Sequence, residues 1–76
     1  MSEKAFILIE AEVGNSKKVV AALKEVEGVT MADCVTGPYD VIAVVEGEGL
    51  REIGNIITGK IQLVPGVSRI VTCLAM

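Results

Sequence analysis

The sequence has no histidine, and its 76 residues include only two cysteines, two prolines, one phenylalanine and one tyrosine. Without histidine, the commonest metal ligand and the commonest general base are both missing. Cys34 and Cys73 lack the spacing of a metal knuckle or a CxxC redox pair, so no metal and no cofactor is expected. Phe6 and Tyr39 alone make a poor platform for stacking nucleobases. The basic residues are scattered, with Lys17-Lys18 the only doublet, on a chain of net charge −3. Displacing counterions from phosphates needs clustered Lys and Arg, so direct nucleic-acid binding is not expected. No apolar run approaches the roughly 20 residues that span a membrane. The opening Met-Ser-Glu-Lys has neither the cationic region nor the cleavage site of a secretory signal. With the acidic balance, these absences point to a cytoplasmic protein without a membrane partner.

What the chain has in excess is apolar residues: 51% are hydrophobic, and mean hydropathy is +0.59. A chain this short makes one domain, and such a domain buries only about 60% of the surface its unfolded form exposes. The surplus needs a second dry surface, and another copy of the chain can supply it.

Ala5 to Val13 alternates with a period of two. Ala5, Ile7, Ile9 and Ala11 point one way, while Phe6, Leu8, Glu10 and Glu12 point the other, which predicts a strand. Gly14 breaks it, and Asn15 or Ser16 can cap the helix that follows. That helix runs from Lys17 to about Glu25, with Val19, Ala22, Leu23 and Val26 as its apolar stripe and Gly28 as its stop. Val29 to Thr36 predicts a second strand, in which Val29, Met31 and Asp33 alternate with Thr30, Ala32 and Cys34. A turn-rich stretch from Thr36 to Asp40 leads to a third strand, Val41 to Glu46, apolar in both alternating sets. Leu50, Ile53, Ile56 or Ile57, and Ile61 mark a second helix that ends at Pro65-Gly66, and Val67 to Ala75 makes the last strand.

The order is β-α-β-β-α-β. An internal echo agrees with it: Val26-Glu27-Gly28-Val29 and Val64-Pro65-Gly66-Val67 share Val-x-Gly-Val at an offset of 38 residues. Two βαβ halves with right-handed crossovers give an α+β, ferredoxin-like fold: a four-stranded antiparallel sheet with both helices on one face. Strands one and three are then central. The uncovered face carries Phe6 and Leu8 from strand one with Ile42 and Val44, or their alternates, from strand three, where an open antiparallel sheet would normally be polar. Those four are candidate dimer-interface residues, pairing two sheets face to face.

Candidate chemistry is sparse. The cysteines fall on opposite edge strands, about 14 Å apart, too far for a disulfide, and are expected to be small buried hydrophobes. Glu10 with Glu12, and Glu46 with Glu48, lack a partner nucleophile or a full oxygen cage, so they are expected to be solvated strand ends. The turn Gly37-Pro38-Tyr39-Asp40 stands apart, because it sets a bend, an aromatic ring and a carboxylate directly before a central strand. Asp40 either bonds nearby backbone N–H groups or accepts a ligand ammonium; glycine there lets a ligand approach the main chain.

The run Val35-Thr36-Gly37-Pro38-Tyr39-Asp40-Val41-Ile42 resembles the Gly-x-Tyr/Phe-Asp signature of the effector-binding (RAM) domain of Lrp/AsnC transcription regulators. Leu63-Val64-Pro65-Gly66-Val67 is similar to that family's entry into its last strand, and Gly28-Val29 matches as well. The resemblance covers residues 3 to 76. It implies a single domain over residues 1–76 without the family's DNA-binding domain, non-enzymatic, taking a free amino acid as effector. It also implies a homodimer that assembles into an octamer or similar ring, with ligand contacts at Gly37, Tyr39 and Asp40 and, by position, at Thr72, Leu74 and Ala75. Such a domain would act in transcription regulation with full-length Lrp/AsnC regulators, or as a sensor by itself. Two other readings stay open: a small dimeric α+β-barrel enzyme, with Tyr39 and Asp40 its only candidates, and an assembly adaptor that needs no ligand.

Overall fold

Alternation builds the centre of the molecule. In the computed structural model, which describes residues 2–76, Ala5, Ile7 and Ile9 are fully buried. Met1, the first residue of the segment read above for a leader, lies outside the described residues. These three belong to β1 (Glu3–Ala11), which is followed by α1 (Ser16–Lys24), β2 (Val29–Cys34), β3 (Val41–Gly47), α2 (Leu50–Gly59), a 3-10 turn (Ile61–Leu63) and β4 (Val67–Leu74). The sheet order is β2-β3-β1-β4, antiparallel throughout, the arrangement expected of a ferredoxin-like βαββαβ domain. Both helices pack on one face. Their Val19, Leu23, Ile53, Ile56 and Ile57 meet Ala5, Ile7 and Ile9 of β1 and Val41, Ala43 and Val45 of β3 in one core. Fully burying a side chain of this size contributes about 1.5–3 kcal/mol.

Several details depart from the sequence expectation. The α2 helix stops at Gly59 rather than running to Pro65, and a 3-10 turn carries Ile61 into the core. Gly54 and Gly59 weaken this helix, each by about 1 kcal/mol against alanine, and the Thr58 hydroxyl donates back to the Gly54 carbonyl at 2.9 Å. Leu50, expected on the apolar stripe, lies exposed in the first turn. Asn15 takes the N-cap position of α1, but its side chain makes no capping hydrogen bond. The simple alternation expected in β2 also fails. Val29 pairs with Val45 and Met31 with Val44, leaving Thr30 as the extra residue of a bulge. Val29 therefore faces the helices, while Met31 faces away.

The Val-x-Gly-Val echo corresponds to a repeated structure. Gly28 and Gly66 have φ of 99° and 96°, which only glycine adopts without strain. The Gly28 carbonyl accepts from Glu46 N–H and the Gly66 carbonyl from Glu12 N–H, both at 2.8 Å. Each glycine packs beside the helix of the other half: a Cβ on Gly28 would meet Ile56, and one on Gly66 would meet Asn15 and Val19.

Among the described residues, no element covers the opposite sheet face. The register lines up Met31, Val44, Phe6 and Cys73 in one row across the four strands, and Asp33, Ile42, Leu8 and Val71 in the next. Phe6 and Met31 are 40% and 47% exposed; Val44, between them, is nearly covered. Charge borders the apolar rows at both ends. Arg69 pairs with Glu10 at 3.6 Å on one side; on the other, Lys4 lies opposite Glu46, with its ammonium 5.8 Å from the centre of the Phe6 ring.

Candidate ligand-binding site

The turn between β2 and β3 is built from its base upward. Beyond the pair Ile9–Val41 the two central strands part, and Asp40 bridges the gap. Its N–H donates to the Ile9 carbonyl at 2.9 Å, and its carboxylate Oδ2 accepts from Ala11 N–H at 2.8 Å. Its carbonyl accepts from Val35 N–H at 2.9 Å, closing the loop. Of the two roles considered for Asp40, backbone bonding is therefore in place. Gly37 has φ of 118°, and a Cβ there would meet nothing within 4 Å. The constraint on Gly37 is thus conformational, and the space beside it is open to a ligand. Gly37 and Pro38 are exposed and Tyr39 is half-buried.

Thr72, Leu74 and Ala75 lie elsewhere. Thr72 pairs with Ile7 and Leu74 with Ala5, and Ala75 N–H donates to the Lys4 carbonyl at 2.9 Å. All three are exposed. They sit along β1 toward its start, whereas Asp40 is bonded near its end. They also lie on the β4 side of β1, and the turn on the β3 side. At about 4.8 Å per strand spacing and 3.3 Å per residue, the two groups are well over 10 Å apart. One chain does not bring the six residues together.

The cysteines are not the small buried hydrophobes expected. Both are free and exposed. Each lies on an edge strand, where only one neighbouring strand shields it: Cys73 on the open sheet face and Cys34 opposite Val41 on the helical side. A surface cleft of about 450 Å³ lies between Gly28, the end of β3 and α2, and its walls include Glu27, Glu46, Glu48 and Glu52. Reading the pair Glu46 and Glu48 as solvated strand ends missed that they line one cleft with Glu27 and Glu52. The Glu48 N–H donates to the Glu52 carboxylate at 2.9 Å. Among the described residues, no group of acidic or cysteine side chains is arranged to hold a metal ion.

The model of the Lrp/AsnC ligand-binding domain matches residues 4–76. The chain belongs to this family. No curated protein matches it, but solved structures do. A hypothetical protein of Pyrococcus horikoshii is 33% identical, with a TM-score of 0.91 over all of this chain and 90% of its own. The structure of FFRP-DM1 is 32% identical, also at 0.91, covering 97% of this chain and 99% of the other. The feast or famine regulatory protein of M. tuberculosis, solved with L-methionine, shares the fold at 20% identity and a TM-score of 0.80. The alignment with it covers 97% of this chain but half of that protein. The Lrp/AsnC domain is thus a regulatory ligand-binding domain with the ferredoxin-like topology its sequence pattern predicts. No helix among its described residues is long and apolar enough to cross a membrane.

Proposed function

We propose that this Lrp/AsnC domain is a non-enzymatic receptor for a free amino acid whose binding site is completed by a neighbouring subunit. The observation that carries the reading is the separation of the turn Gly37–Asp40 from Thr72, Leu74 and Ala75 by the central strand. If both groups touch one ligand, the turn comes from one chain and the last strand from another. A distant relative solved in complex with L-methionine supports the ligand class.

In this reading the open face, through Phe6, Leu8, Ile42 and Val44, pairs two copies into an α/β sandwich. The ligand then binds between such dimers, in an octamer or similar ring. A ligand that prefers the assembled state draws the population toward it by its differential affinity, so occupancy and assembly are linked. Full-length regulators of the same family are the natural partners through which such a sensor would reach transcription.

The test is a panel of the twenty amino acids at millimolar concentration, read by thermal unfolding and by light scattering on the same samples. At least one amino acid should raise the melting temperature and change the particle mass. A flat response across the panel in both measurements overturns the reading.

A further inference from the structure

Among the described residues, Asp40 is the one residue of the turn fastened to the sheet by its side chain. Among the described residues, no main-chain hydrogen bond involves residues 36–39, so their place depends on how the two ends of the loop are held. Val35 N–H to the Asp40 carbonyl closes the base, and two further bonds tie Asp40 to β1. The carboxylate supplies what the backbone does not. Once the central strands diverge, the partly buried Ala11 N–H has no main-chain carbonyl from β3 to meet, and Asp40 Oδ2 takes that place at 2.8 Å.

We propose that Asp40 is a positioning residue, whose carboxylate locks Gly37 and Tyr39 in place against β1, and that it does not serve as the counter-charge of the ligand ammonium. This rests on the amino-acid-receptor reading above and revises the share of Asp40 in it. The two roles need different chemistry. An anchor needs an oxygen acceptor within reach of Ala11 N–H, which an asparagine also has. An ion pair with an ammonium needs the negative charge, which an asparagine lacks.

Asp40→Ala and Asp40→Asn separate the roles. Amide hydrogen exchange at Ala11 and Val35 reports the anchor directly and needs no ligand. The amino acid giving the largest thermal shift with the unaltered protein then serves as the binding probe. We expect Asp40→Ala to speed Ala11 exchange and to weaken binding by about tenfold or more, with Asp40→Asn restoring both to within about threefold. Two outcomes overturn the proposal: Ala11 exchange that Asp40→Ala does not change, or an Asp40→Asn protein that keeps Ala11 protected yet binds about tenfold more weakly. If Asp40→Ala does not fold, Asp40→Asn decides alone on the same two readings. If no amino acid binds the unaltered protein, the receptor reading fails, while the exchange rates still decide whether the carboxylate is the anchor.

Discussion

Thr30 and Ser68 occupy equivalent places in the two halves of the fold. Each is the extra residue of a bulge at the start of an outer strand, two positions after a left-handed glycine. Each hydroxyl donates to a carbonyl of the adjoining central strand, Thr30 to Val44 at 3.4 Å and Ser68 to Glu10 at 2.9 Å. The offset is again 38 residues, so the echo read in the sequence extends into bulge geometry. Removing Ser68 Oγ should cost about 1 kcal/mol, and the longer Thr30 bond should contribute less. Urea unfolding of Ser68→Ala and Thr30→Val at a fixed protein concentration checks the order: Thr30→Val removes the longer bond with little change of shape and should stay closer to the parent.

The left-handed glycines differ in what surrounds them. Gly37→Ala should cost only the backbone penalty of about 1–2 kcal/mol, since its Cβ would point into open space. Gly66→Ala should cost more, because the new Cβ would lie 3.0 Å from Asn15 Cβ and 3.2 Å from the buried Val19. Equal unfolding midpoints for the two variants would contradict this packing argument.

Ile7 and Leu8 are neighbours on β1 that face opposite ways, Ile7 into the helical core and Leu8 onto the open face. Ile7→Ala should lose about 2–5 kcal/mol, with a deficit that stays constant on dilution. Under the proposed pairing of two sheets, Leu8→Ala should show a deficit that changes with protein concentration, because it would weaken that pairing and leave each core intact. Melting temperatures of both variants over a hundredfold dilution series distinguish the two.

If the proposed pairing through the open face holds, Phe6→Glu should shift the particle from dimer or larger to monomer in sedimentation, since it puts a carboxylate into the middle of the apolar rows. The thiols give a second view of the same contact. Cys73 lies in the row of Phe6, whereas Cys34 is on the other side of the sheet. In the assembled protein Cys34 should react with a thiol reagent well before Cys73, and Phe6→Glu should bring the two rates together. Equal rates in the parent protein would place the contact elsewhere.

Much of this was legible in the sequence, for identifiable reasons. The strict alternation of Ala5 to Glu10 fixed which side of β1 is core, and Val-x-Gly-Val marked both helix-to-strand crossings. What stayed hidden depends on partners far away in the chain. The bulge at Thr30 exists because β2 must meet the register of β3, so Val29 and Met31, two apart, end on opposite faces. The end of α2 at Gly59 reflects a 3-10 turn that fits Ile61 to the core, which periodicity alone does not specify. Cysteine is usually buried, but position at a sheet edge overrode that preference twice. Of the candidate site, the bend, the ring and the carboxylate before β3 were legible, and so was a backbone-bonding role for Asp40, but not that its partner is Ala11, 29 residues away.

The two bulges also bear on how this protein can aggregate. An outer strand with free N–H and C=O groups is a template on which another chain can add, and repeated addition makes an endless fibre. Here both outer strands begin with a kink, at Thr30 and at Ser68. The free strand length at each margin is shortened on the same pattern, which works against growth along the hydrogen-bonding direction. Under the proposed assembly, copies would instead meet through broad side-chain surfaces, and contacts of that kind can close into particles of fixed size.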